Sequence, residues 1–141
     1  MRYKQGKYIP TRPGKYKGNY LNINYRSSWE LKFMHWCDRT TSVTEWGSEE
    51  IIIPYVSPID GKRHRYYPDF YVKVKGKKYI VEVKPLKQTK QPKKQTRVTK
   101  RYINEVITYS INDAKWKAAK EFCDDRKLEF KIMTEKELGI R

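Results

Sequence analysis

Two carboxylates and a lysine stand close together in a stretch written for β-structure. In "HRYYPDFYVKVKGKKYIVEVKP", His64 to Pro85, Asp69 precedes one run of alternating apolar residues, and Glu82 and Lys84 close the next. Phe70, Val72 and Val74 share one face of the first run, leaving Asp69, Tyr71 and Lys73 on the other. In the second run Tyr79, Val81 and Val83 share a face, leaving Ile80, Glu82 and Lys84. The turn between them sets their register. A two-residue loop at Lys75-Gly76 pairs Val74 with Lys77 and puts Asp69 opposite Glu82; a four-residue loop from Lys75 to Lys78 puts Asp69 opposite Lys84. Either way the three charges converge. Directly opposed residues carry Cβ atoms about 4.5–5.5 Å apart, and carboxylates at that spacing repel unless something positive lies between them. A divalent cation is the usual solution, and Mg2+ is commonly held by one or two carboxylates with phosphate oxygens and waters completing its shell. The competing account is a solvated sheet face on which Asp69 and Glu82 pair with neighbouring lysines.

The elements around this hairpin must hold it in place. Upstream, "YRSSWELKFMHWCDR" puts Trp29, Phe33, Trp36 and Cys37 at the i, i+4, i+7 and i+8 positions of one helical face. Ser27 and Glu30 have capping-box spacing, which starts that helix at Ser27 and gives Glu30 a structural role. After a polar connection, "EEIIIPYV" reads as a strand, with Pro54 demanding an edge or a bulge, and "SPIDGKRHR" turns at Asp60-Gly61 into a hairpin. Downstream, "VTKRYINEVITYS" predicts a helix whose Tyr102, Val106 and Tyr109 pack inward. "NDAKWKAAKEFCDD" predicts another, with Trp116, Ala119, Phe122 and Cys123 on one side, followed by the alternating strand "LEFKIMT" and a short terminal turn.

At 141 residues the chain has the length of one α/β domain, taken as residues 25–141. Residues 1–24 carry Arg2, Lys4, Lys7, Arg12, Lys15 and Lys17 between tyrosines with no helical or strand period, and Pro10, Pro13, Gly14 and Gly18 interrupt any regular element. This reads as a basic arm, laid along a nucleic-acid backbone or another protein, or else a loosely packed tail. The 32 Lys and Arg against 16 acidic residues, a formal charge of +16, point to a polyanionic partner. Lys87, Lys90, Lys93, Lys94, Arg97, Lys100 and Arg101 crowd a segment without an acidic residue: beside a catalytic site it would grip phosphates without reading bases, and otherwise it is a solvated loop. No apolar run reaches the ~20 residues of a membrane span, and "MRYKQGKYIP" lacks the apolar core of a signal peptide, so a cytoplasmic location is expected. Cys37 and Cys123 read as reduced core residues, and a single close His-Cys pair, His35 and Cys37, argues against structural zinc.

Pro68-Asp69 followed by Glu82-Val83-Lys84 resembles the signature of the PD-(D/E)XK nuclease superfamily, whose members present a glutamate on a helix, then Asp and Glu-x-Lys on a hairpin, then a helix and a strand. Glu30, Asp69, Glu82 and Lys84 repeat that order. The segments "SSWELKF", "SEEIIIPY", "HRYYPDFYV", "YIVEVKP", "INDAKWKAA" and "FKIMTEKEL" together are similar to the tailed-phage head-completion nucleases and, more distantly, to TnsA-type transposase endonucleases, from about Lys15 onward. The resemblance implies a restriction-endonuclease-like α/β core, a mixed β-sheet with a hairpin carrying the active site and helices on its flanks. It implies a Mg2+-dependent (or Mn2+-dependent) DNA endonuclease acting in phage head completion and DNA packaging. Asp69 would be the main metal ligand, Glu82 the second and the Val83 carbonyl a third, with Lys84 holding the attacking water or the phosphate. Glu30 would be an outer or second-metal ligand unless capping is its whole role, and Lys115 would face either the site or solvent. Implied partners are DNA and phage head, portal or neck proteins, with no membrane and no small-molecule cofactor; the implied location is the host cytoplasm during assembly, or the virion. The alternative is a structural DNA-binding component of the head or neck that keeps the fold without the chemistry.

Overall fold

A computed structural model describes residues 5–139. Its centre is a four-stranded mixed sheet in the order β3-β6-β7-β8: β3 (Val43–Ser48), β6 (Phe70–Val74) and β7 (Lys77–Val83) are antiparallel neighbours, and β8 (Glu129–Met133) joins β7 in parallel. The last crossover is made by α2 (Lys100–Asp125), as parallel pairing requires a long connection. Two antiparallel pairs stand apart from the sheet, β1 (Gly6–Lys7) with β2 (Asn24–Tyr25) and β4 (Ile53–Val56) with β5 (Arg63–Tyr66). The chain ends in the short α3 (Glu135–Leu138), which Thr134 and Glu137 close with a reciprocal capping box. This is the expected restriction-endonuclease-like arrangement of a mixed sheet between helices.

Alternation along β6 and β7 gives the sheet two unlike faces. Phe70, Val72, Val81 and Val83 join Trp29, Phe33, Met34 and Cys37 of α1 (Ser28–Arg39) in the larger core. On the other face α2 brings Ala119, Trp116 and Phe122 against Ile53, Tyr55, Tyr66 and Phe130. Both cysteines are buried free thiols. Ser27 caps α1 as expected, accepting from the Glu30 amide at 3.1 Å. The expected inward position of Trp36 is not met: it is 42% exposed, whereas Met34, at 0%, belongs to the main core.

That segment is the main departure from the sequence reading. Arg2 and Lys4 of the expected arm lie outside the described residues, but from residue 5 onward the chain is part of the domain. Tyr8, Tyr16 and Ile23 belong to the main core, and the Lys17 amide donates to the Trp46 carbonyl at 2.7 Å. Asp38, fully buried near the end of α1, accepts from the Tyr8 hydroxyl, the Thr11 amide and hydroxyl and the Arg12 amide at 2.7–3.0 Å. Burial would raise the Asp38 carboxyl, but these donors together hold it below its ordinary value. Lys15 reaches over the same helix end, its Nζ donating to the carbonyls of Cys37, Asp38 and Thr40. It satisfies backbone acceptors that the helix leaves open and places a cation at the negative end of its dipole. An irregular chain buries isolated side chains at no fixed spacing, which is why no period announces it.

Two further differences have simple causes. The expected polar connection contains β3, whose pattern is hidden because a bulge between Val43 and Glu45 shifts its register and sets the buried Val43 and Trp46 three apart instead of alternating. The two expected helices from Thr99 onward are one, α2, capped by Thr99 and uninterrupted by Gly or Pro. Its first half lies off the sheet: Val106 is exposed, not packed.

Candidate active site

The turn joining β6 and β7 decides the site. Lys75 and Gly76 take positive φ, 50° and 80°, the backbone of a two-residue hairpin loop whose twist matches its strands. Val74 therefore faces Lys77 and Phe70 faces Val81, and one step further Asp69 comes opposite Glu82. Of the two registers the sequence allowed, this is the one that opposes the carboxylates. The Val83 amide donates to Asp69 Oδ2 at 2.8 Å. A strand residue presents its N–H and C=O to the same side, so the Val83 carbonyl is directed toward Asp69 as well.

Glu82 is 5% exposed, which excludes the solvated-face account for it. Its Oε1 accepts from the Tyr66 hydroxyl at 2.6 Å, and its Oε2 lies 3.7 Å from Lys84 Nζ. Burial raises the Glu82 carboxyl above its ordinary value, against the opposing pull of the Tyr66 hydrogen bond and the Lys84 and Lys115 charges. Burial and then repulsion from Glu82 push Asp69 well above the usual carboxylate range. Two acids that both resist ionisation, side by side, form a site short of positive charge.

Glu30 stands at the start of α1, half-buried, with Oε1 accepting from the Arg26 amide at a long 3.4 Å. Burial, then repulsion from Glu49, raises it, and its own charge adds to the pressure on Asp69. It belongs to the same electrostatic cluster. Still, among the described residues no three His, Cys, Asp or Glu side chains are grouped closely enough to hold a metal ion by themselves.

Three residues that the sequence did not assign to the site complete its surroundings. Tyr66, buried at the end of β5, is the hydroxyl partner of Glu82; the "RYY" triplet beside Pro68-Asp69 gave no reason to prefer it over Tyr67, which is exposed. Lys115, left open between site and solvent, turns toward the site from α2. Its Nζ lies 5.6 Å from the Tyr66 ring centre and 5.8 Å from that of Tyr55, and burial lowers its pKa despite the raising influence of Glu82. Glu49, at φ 56°, follows β3 directly, with its amide on the Asp69 carbonyl and its carboxylate paired to Arg26.

The donor set available to a ligand is all oxygen: Asp69, Glu82 and the Val83 carbonyl. Asp69 Oδ1 accepts no hydrogen bond among the described residues, and Glu82 Oε2 lies 3.7 Å from Lys84 Nζ, too long for a hydrogen bond. Each carboxylate thus keeps one oxygen for a hard cation, the chemistry that suits Mg2+ or Mn2+.

The seven cations Lys87, Lys90, Lys93, Lys94, Arg97, Lys100 and Arg101 are all exposed. Lys87, Lys90, Lys93 and Arg101 line a groove of about 1180 Å³ between the basic loop and α2, while Lys94, Arg97 and Lys100 lie outside it.

The sequence profile of the TnsA-like endonuclease N-terminal domain matches residues 40–135. The chain is also 40% identical over 135 residues to the head completion nuclease of Enterobacteria phage T4, covering 92% of this chain and 90% of that one. The chain belongs to the TnsA-like endonucleases, with the phage head-completion nucleases. In this member of the family the stretch matched by the endonuclease profile contains Asp69, Glu82, Lys84, Tyr66 and Lys115, and leaves Glu30 to its N-terminal side.

Proposed function

We propose that this nuclease is a Mg2+-dependent (or Mn2+-dependent) DNA endonuclease that acts in phage head completion, on the ends of packaged DNA. The observation that carries this reading is the opposition of Asp69 and Glu82 beside Lys84. Two buried carboxylates forced together weaken a resting fold and gain a purpose only if a cation and a phosphate join them. Asp69, Glu82 and the Val83 carbonyl would hold the cation. When bound, it neutralises charge on the phosphate and makes water a better nucleophile.

The remaining work falls to side chains already in place. The Val83 amide fixes Asp69 through Oδ2 and leaves Oδ1 directed to the ligand. Tyr66 orients Glu82 in the same way through Oε1, favouring its ionised form. Lys84 sets a positive charge at the carboxylate pair, where it can hold the attacking water or a phosphate oxygen as charge grows in the transition state. Lys115 adds a second cation from the opposite wall, with Tyr66 and Tyr55 limiting water around it. Glu30 would act as an outer ligand through solvent.

Incubation of purified protein with supercoiled plasmid tests the proposal. Nicked and linear products are expected with Mg2+, none with EDTA, and none from Asp69→Ala. Cleavage by Asp69→Ala at the wild-type rate would remove the assignment. Tight DNA binding without cleavage under any divalent cation would favour the structural head component instead.

A further inference from the structure

We propose that the groove between the basic loop and the first half of α2 is a channel for an unpaired DNA strand, so that the enzyme takes substrates with single-stranded ends or melted segments in preference to continuous duplex. This rests on the nuclease reading for its purpose, but its observations are separate. The groove, about 1180 Å³, exceeds the ~300–1,000 Å³ of small-molecule sites and has room for an extended ligand. One wall carries Lys87, Lys90 and Lys93, which have no acidic partner within ion-pair distance among the described residues. The other is α2, where Tyr102, Glu105, Tyr109 and Asn112 follow one another at helical spacing along the lining.

The tyrosines distinguish strand from duplex. A duplex hides its base faces and offers phosphates and groove edges, for which exposed lysines suffice. An unpaired strand offers every base as a flat π-surface, and single-strand-binding grooves combine a cationic wall with aromatic platforms. Tyr102 and Tyr109 are half-buried and both line the groove, about 10 Å apart along the helix, which is about three stacked base steps. Gln88, Gln91 and Asn104 add amides able to meet base edges in any order. The acid within the lining, Glu105, is neutralised by Arg101 at 3.2 Å.

The channel also leads somewhere. The one-turn helix Leu86–Thr89, which supplies Lys87 and Gln88, begins two residues after Lys84. On the other wall Asn112 ends the lining stretch of α2, and Lys115, less than one turn further, has its Nζ 5.6 Å from the ring centre of Tyr66, whose hydroxyl donates to Glu82. A strand lying on Tyr102 and Tyr109 therefore runs toward the carboxylate pair.

Fluorescence anisotropy with the full-length protein in EDTA tests this, using a blunt duplex, the same duplex with an unpaired tail, and the tail strand alone, all at one salt concentration. The tailed duplex should bind about tenfold or more tightly than the blunt one. Tyr102→Ala with Tyr109→Ala should weaken tail binding by about tenfold or more while changing blunt-duplex binding less than about threefold. Tryptophan at both positions should retain it. Thr108→Trp, which fills the groove without removing a packed side chain, should reduce tail binding too, and its thermal midpoint serves as the folding control. Equal affinity for tailed and blunt duplex, or equal losses on both in these variants, would overturn the channel. Cleavage with Mg2+ is scored separately: tail selection without cleavage removes the nuclease reading and leaves the channel, and cleavage indifferent to tails does the reverse.

Discussion

Replacing Asp69 by Asn isolates the electrostatic strain of the site. The amide oxygen of Asn can still accept from the Val83 amide, which now meets Asp69 Oδ2 at 2.8 Å, so the change removes a charge and little else. Two unit charges about 5 Å apart repel by about 3 kcal/mol at an effective dielectric constant of 20. Protonation caps the penalty: holding a carboxyl of ordinary pKa about 3.9 protonated at pH 7 costs at most about 4 kcal/mol. Lys84 offsets part of this, leaving an expected gain of about 1–3 kcal/mol for Asp69→Asn in EDTA at pH 7. For a chain of this length that is a rise of roughly 4–10 °C in thermal midpoint. The pH dependence carries a sign. Asp69 binds its proton more tightly in the folded protein than in the unfolded chain, because burial and Glu82 raise it. Metal-free wild type should therefore lose stability as pH climbs from about 4 toward the raised folded value, and the variant should lose less. Mg2+ should stabilise the wild type at pH 7 and leave the variant nearly unchanged. Thermal unfolding by circular dichroism from pH 4 to 8, with EDTA and with Mg2+, reads all three. A variant less stable than wild type at pH 7 by more than about 1 kcal/mol, with the same pH slope, would mean that Asp69 is a satisfied structural carboxylate and would refute the reasoning.

Other substitutions test the neighbours. Glu30→Gln keeps the α1 amide on Ser27 and should change stability by less than about 0.5 kcal/mol; cleavage falling tenfold or more would assign Glu30 to the site, and unchanged cleavage would leave it to capping. Tyr66→Phe removes the hydroxyl that favours ionised Glu82, so the acid limb of the pH–rate profile for plasmid nicking should move to higher pH, and an unmoved limb would contradict Tyr66 as orienter. Asp38→Ala leaves the donors of Tyr8, Thr11 and Arg12 without their acceptor and should cost about 3 kcal/mol or more, roughly 10 °C in thermal midpoint. A loss below about 1 kcal/mol there would show that the N-terminal segment does not depend on this anchor. Lys90→Gln with Lys93→Gln should flatten the log–log salt dependence of single-strand binding by about 1.4, and an unchanged slope would mean that these lysines do not touch phosphates.

Local chemistry was legible in the chain itself. Asp69, Glu82 and Lys84 could be singled out because carboxylates interrupt runs whose alternation otherwise fixes two strand faces, and those faces are the ones observed. Ser27 as a cap, Pro54 on an edge strand and the turn at Gly61 follow from single-residue stereochemistry that needs no tertiary partner. The +16 charge announced a polyanion in the same way. What the sequence left open were quantities decided at a distance. The hairpin register turned on whether Lys75 would accept positive φ, which the twist of packed strands enforces and a single residue does not. Tyr66 reaches Glu82, and Lys115 reaches Tyr66, only because β5 and α2 cover one face of the sheet, 16 and 33 positions from Glu82 in the chain. The bulge in β3 and the irregular path of residues 5–25 concealed Trp46, Tyr8, Tyr16 and Ile23 from any periodic reading. Periodicity reports a regular backbone facing one uniform environment; these residues are buried one at a time, by partners such as Asp38 and the end of α1 that only the assembled fold brings to them.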